Sequence, residues 1–158
     1  MVKGINIAAR SAARELLVQA LYQWQMNESG QEELLEQFRL DKDYSKVDSE
    51  YFESNLLAIL NESAELDESL LPVLDRKLEL LDPVAHAILW LSAFEFKHKI
   101  EIPYRVVMNE AIKLAKKFGP TDSHKYVNAI LDKLAVNLRA IEVEHNKNTS
   151  NKTNKKPV

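Results

Sequence analysis

Apolar positions recur at helical spacing through most of the chain. Between Ser11 and Met26, the residues Ala13, Leu17, Ala20, Leu21 and Trp24 fall on one face, the period expected of an amphipathic helix. NESGQ (27–31) interrupts it, and a shorter helix is predicted from Glu32 to Leu40 before the charged loop DKDYSK. Asp48 is placed to cap a third helix, with Val47 set to pack on Phe52 as a hydrophobic staple. Its stripe is Phe52, Leu56, Ile59, Leu60 and Ser63. Leu66, Leu70 and Leu74 suggest another helical stretch, which Pro72 kinks or stops.

Asp82-Pro83 is a strong start signal, a capping side chain followed by proline at the first helical position. The helix it opens, VAHAILWLSAFEFKH, is apolar almost all round and therefore belongs in the middle of a bundle. Pro103 opens PYRVVMNEAIKLAKKF, and Gly119-Pro120 closes it. A last helix is predicted from about Asp122 to Ile141. The pattern predicts an all-α domain over residues 1–141, built from six or seven helices. The tail 142–158, EVEHNKNTSNKTNKKPV, has almost nothing to bury and is predicted to be disordered.

Composition agrees with a helical protein. Hydrophobic residues make up 46% of the chain, while only 3 glycines and 5 prolines are available for turns. Cysteine is absent, which removes disulfides, thiolate metal sites and a cysteine nucleophile. The run Val84 to Phe96 is interrupted by His86, Ser92 and Glu95 and is shorter than the roughly 20 residues of a membrane helix. The N-terminus lacks the apolar core of a signal peptide. A cytoplasmic protein without a membrane segment is expected.

Charge adds something that the net value of −3 hides. Residues 31–82 carry five basic and fifteen acidic side chains, whereas residues 83–158 carry thirteen basic and seven acidic ones. An acidic middle and a basic C-terminal half can meet two partners of opposite charge, although solvated helix faces and a basic tail would give the same numbers.

Asp122, Ser123 and His124 are consecutive, which invites a hydrolytic reading. Consecutive helical residues diverge by about 100° around the axis, so they do not converge as a triad must. No metal-ligand spacing links His86, His98, His124 and His145, no glycine-rich phosphate loop is present, and no cofactor is expected. His86 reads as a satisfied core histidine.

The same stretch does offer a helix N-terminus, capped by Thr121 or Asp122, with free backbone N–H groups in its first turn. Lys125 points away from the stripe Val127, Ile130, Leu131, Leu134, Leu138, Ile141, and Tyr126 and His124 sit on its shoulders. With Lys113, Lys116 and Lys117 on the preceding helix, a phosphate-binding and base-stacking surface can be assembled. A half-buried tyrosine and solvated lysines fit the spacing equally well. Arg10 and Arg14, i and i+4 near the first helix start, oppose the helix dipole and suit an anionic partner, or merely solubilise an Ala-rich end. Tyr22 and Met26 form an aromatic–Met pair off the core stripe, which fits either a protein contact or burial under the second helix.

Three segments, AARSAARELLVQALYQWQ (8–25), IPYRVVMNEAIKLAKKFG (102–119) and DSHKYVNAILDKL (122–134), together resemble the bacterial NusB family of transcription antitermination factors. The resemblance covers roughly residues 8–140. It implies two packed three-helix-type bundles and no catalysis. It also implies binding of boxA-type single-stranded RNA from ribosomal RNA operon leaders, together with the ribosomal small-subunit protein that acts as NusE, within the RNA polymerase antitermination complex. Carried over residue by residue, RNA binding is expected at Arg10, Arg14, Lys117, Asp122, Lys125 and Tyr126, and partner binding at Tyr22 and Met26. Ser11 and Ala12 separate Arg10 from Arg14, where the family often has consecutive arginines. Ala85 and His86 stand where relatives often carry charge. Two alternatives remain: a NusB-like module of ribosome biogenesis, and a protein–protein scaffold without RNA specificity.

Overall fold

A computed structural model describes residues 6–27 and 29–154, with side chains as far as Thr149. Met1–Ile5, Glu28 and Lys155–Val158 lie outside the described residues, and the last four residues of the expected disordered tail are among them.

Seven α-helices form, with no strand among the described residues: α1 Ile7–Met26, α2 Gln31–Arg39, α3 Ser49–Leu70, α4 Pro83–His98, α5 Tyr104–Phe118, α6 Ser123–Leu138 and α7 Ala140–Asn154. Helices α1, α2 and α3 pack on one another, as do α4, α5 and α6, and α4 joins the two groups through α1 and α3. The all-α architecture of two three-helix groups is therefore as expected. No helix of the described residues is long and apolar enough to cross a membrane.

The helix starts follow local chemistry. Asp48 accepts the Tyr51 N–H at 3.1 Å and Asp82 accepts the Ala85 N–H at 3.0 Å, satisfying backbone donors that the helix itself cannot. Helix α4 buries Ala87, Ile88, Leu89, Leu91, Ala93 and Phe96 almost completely, as a central helix must. Pro72 ends α3 in a 3-10 turn, Leu71–Val73, so Leu66 and Leu70 belong to α3 and not to a separate helix.

Three expectations need correction. Helix α1 begins at Ile7, capped by Asn6 through the Ala9 N–H at 3.0 Å, so Arg10 and Arg14 lie beyond the first orphan donors and the dipole argument loses force. The predicted last helix breaks at Arg139. Beyond it the chain is helical as far as Asn154, where disorder was expected from 142. The clip at the break explains the docked first turn of α7. The Arg139 guanidinium is buried and donates to the carbonyls of Phe96 (2.7 Å), Glu95 (3.2 Å) and Lys99 (2.9 Å), capping the C-terminus of α4. Glu142 pairs with Arg139 at 2.8 Å and accepts the Tyr104 N–H at 3.0 Å, capping the start of α5.

Candidate nucleic-acid interface

Helices α5 and α6 meet at a tight corner, Gly119-Pro120-Thr121-Asp122. A Cβ on Gly119 would come within 2.7 Å of the Ala115 carbonyl oxygen and would also strike the Ser123 side chain. Glycine is thus required by close approach. The Ser123 hydroxyl donates to the Ala115 carbonyl at 3.5 Å, a contact from α6 back to α5. Asp122 holds the N-cap position at φ 66°, a left-handed conformation that Asp tolerates better than most residues, and its side chain makes no capping bond. The expectation that Asp122 caps through its carboxylate is therefore replaced by a role in turning the backbone.

Around this corner the cations are exposed but not bare. Lys125 is 3.6 Å from Asp122, and Lys117 is 3.0 Å from Glu15 on α1. Exposed pairs of this kind contribute little to stability and are readily exchanged for a phosphate. Tyr126 packs half-buried against the core, and the Arg76 guanidinium lies 4.2 Å above its ring. Burial raises the Tyr126 phenol pKa, with Arg76 opposing and Asp75 reinforcing that shift. Nothing in the sequence singled out Arg76; only the tertiary contact reveals it.

The two arginines of α1 part company. Arg10 stays at the surface, 3.5 Å from Asp48 and 4.2 Å over the Tyr51 ring, with Lys99 facing the same ring at 5.8 Å. Its Nε is buried without a hydrogen-bond partner. These side chains line a polar cleft of about 240 Å³ with Glu50 and Ser54.

Arg14 is 4% exposed. Its Nε donates to both Glu95 carboxylate oxygens (3.3 and 3.0 Å), and a terminal nitrogen lies 2.9 Å from Glu95 Oε2. Burial works against its charge, but Glu95 and, less strongly, Tyr51 and Glu110 hold its pKa above the ordinary value. The Tyr51 hydroxyl donates to Glu95 as well, and burial followed by Glu95 pushes its pKa far up, so it remains a donor. Arg14 was expected at the RNA surface. In the structure its guanidinium is buried and paired with Glu95 inside the bundle.

Position also divides the set. Asp48, the partner of Arg10, caps the start of α3, while Arg76 and Tyr126 meet just past its end. Helix α3 has 22 residues, roughly 33 Å at 1.5 Å per residue. Lys117 lies at the end of α5 and Asp122, Lys125 and Tyr126 at the start of α6, on either side of the α5–α6 corner, whereas Arg10 faces Tyr51 with Lys99.

Tyr22 and Met26 are 41% and 50% exposed. They line an open, mainly apolar groove of about 390 Å³ with Val18, Phe38, Val84 and Phe118. Phe118 is the last residue of α5, so the groove borders the corner that carries Lys117.

The NusB family matches residues 11–136. The chain belongs to the NusB family. Transcription antitermination protein NusB of Pseudomonas entomophila is 51% identical over 140 residues, covering 89% of this chain and 84% of that protein. The protein of the same name from Teredinibacter turnerae is 48% identical, covering 87% of this chain and 95% of its own length. The solved structure of T. maritima NusB superposes with a TM-score of 0.73 at 30% identity, covering 80% of this chain and 89% of that one. The NusB match thus spans both three-helix groups, and the corner and the groove lie within it.

Proposed function

We propose that this NusB-family chain is a cytoplasmic, non-enzymatic adaptor of transcription antitermination. In this reading it holds boxA-type single-stranded RNA from ribosomal RNA operon leaders at the α5–α6 corner and a ribosomal small-subunit protein acting as NusE in the adjoining groove. The complex then joins RNA polymerase. The observation that carries the proposal is the adjacency within the family-matched region: Lys117 closes α5 beside Phe118, and Phe118 lines the groove of Tyr22 and Met26. One face presents cations and a half-buried aromatic ring, suited to phosphates and bases. The other presents exposed apolar side chains, suited to a protein.

Chemistry here is positional. Each lysine exchanges an exposed carboxylate for a phosphate, so free energy comes mainly from counterion release and depends on salt. With the RNA running on from the corner to Arg10, contacts from Arg10, Lys117 and Lys125 give a slope of log affinity against log salt of roughly −2, about 0.7 per phosphate on single strands. Titration of a boxA-type RNA across several salt concentrations tests this. An affinity that does not change with salt contradicts it.

A further inference from the structure

We propose that Arg76, in the linker that follows α3, is the outer stacking surface for a base of the bound RNA, with Tyr126 as the ring beneath it. The inference rests on the RNA-binding reading above and deepens it. Four observations carry it. The Arg76 Cζ lies 4.2 Å from the Tyr126 ring centroid, a contact distance that leaves no room for a base between them. A base approaching that ring face from solvent therefore meets the guanidinium first. Arg76 Nε and a terminal nitrogen both donate to the Asp75 carboxylate, at 2.9 and 3.4 Å, a fork that fixes the orientation of the guanidinium plane. The Arg76 side chain is 44% exposed, and Lys125, the residue before Tyr126, is 73% exposed and available to the phosphate of the same nucleotide.

A guanidinium suits this task. It is planar, weakly hydrated and stacks on aromatic faces, and RNA-binding proteins stack bases on arginine planes as well as on rings. Because Asp75 already offsets its charge, Arg76 acts here through its plane more than through its charge. That distinction is measurable. A lysine at position 76 keeps the charge and loses the plane.

The test uses the full chain and a boxA-type RNA made abasic at one position at a time, with affinity measured by titration. Wild-type protein should lose affinity sharply at one position. Arg76→Ala should weaken binding to the intact RNA by roughly five- to 150-fold, the range for one stacked base, and should lose nothing further at that abasic position. Arg76→Lys should lose nearly as much, with the salt slope unchanged in both variants. Thermal unfolding should be unaltered, since the side chain is exposed. Wild-type affinity in Arg76→Ala, or tighter binding, would show Arg76 to be a bystander or a cover over Tyr126 and overturn the inference alone. Full rescue by Arg76→Lys would reduce it to a charge contact and overturn it too. If wild-type protein fails to bind the RNA with or without the ribosomal partner, the proposed function falls and the inference with it.

Discussion

Replacing Arg14 by alanine separates a structural arginine from an RNA-binding one. The guanidinium bridges α1 to Glu95 in the last turn of α4, and Glu95 is 1% exposed. Removing the cation leaves that carboxylate buried with the Tyr51 hydroxyl as its remaining close donor, and Glu110, 3.9 Å from Arg14, loses a neighbour as well. Breaking one side of a buried pair costs about 3–5 kcal/mol. For a chain of this size, each kcal/mol lowers the melting temperature by roughly 2–4 °C, so Arg14→Ala should melt roughly 6–20 °C lower. Arg14→Met with Glu95→Gln should recover much of the loss, because no charge is then stranded and the amide oxygen still accepts from Tyr51. Circular dichroism melts with an RNA titration at a temperature where every variant is folded give the reading. An Arg14→Ala protein that melts like wild type yet binds RNA more than tenfold more weakly would refute the reasoning, since that is how a surface phosphate contact behaves.

Tyr22→Ala with Met26→Ala empties the apolar groove; ribosomal-partner binding should be lost while the RNA affinity of the free protein stays within about twofold, as measured by paired titrations. Asp122→Asn should fold normally, since Asn also tolerates the left-handed conformation, and should bind RNA as well or more tightly because a negative charge beside Lys125 is gone. Asp122→Val, a β-branched residue at φ 66°, should be less stable by about 1–2 kcal/mol in denaturant unfolding. Glu53 has its carboxyl pKa lowered, first by Arg39 and then by Tyr44. Its contribution to stability is therefore full above the unfolded-state pKa and fades as pH falls through the lower folded value. Glu53→Gln should flatten the acid limb of the stability–pH curve and leave Arg39 without its carboxylate.

Much of the scaffold could be read from sequence because its determinants are local. Asp48, Asp82-Pro83 and Gly119-Pro120 mark helix ends by chemistry confined to a few residues, and the apolar circumference of α4 announces a central helix. The hydrophobic pattern places the start of α1 at Ser11, four residues late, because Ile7, Ala8 and Ala9 add nothing to the stripe, although Asn6 is a sound cap. Helix α7 is not legible because its composition argues for disorder, and the clip that docks its first turn joins Arg139 and Glu142 to helix ends some 40 residues away. Site residues were harder still. Arg10 and Arg14 share a spacing but not an environment, since α1 is buried on more than one side. A signal for the fate of Arg14 did exist: Glu95, a carboxylate inside an otherwise apolar helix, demands a buried cation. Arg76 carried no such signal.

The most direct test of the adaptor account is the affinity of the full chain for a boxA-type RNA, measured with and without the ribosomal small-subunit partner and against a scrambled RNA. The account predicts salt-dependent binding that prefers the boxA-type sequence and tightens when the partner occupies the groove of Tyr22 and Met26. Equal affinity for both RNAs, unchanged by the partner, would contradict it.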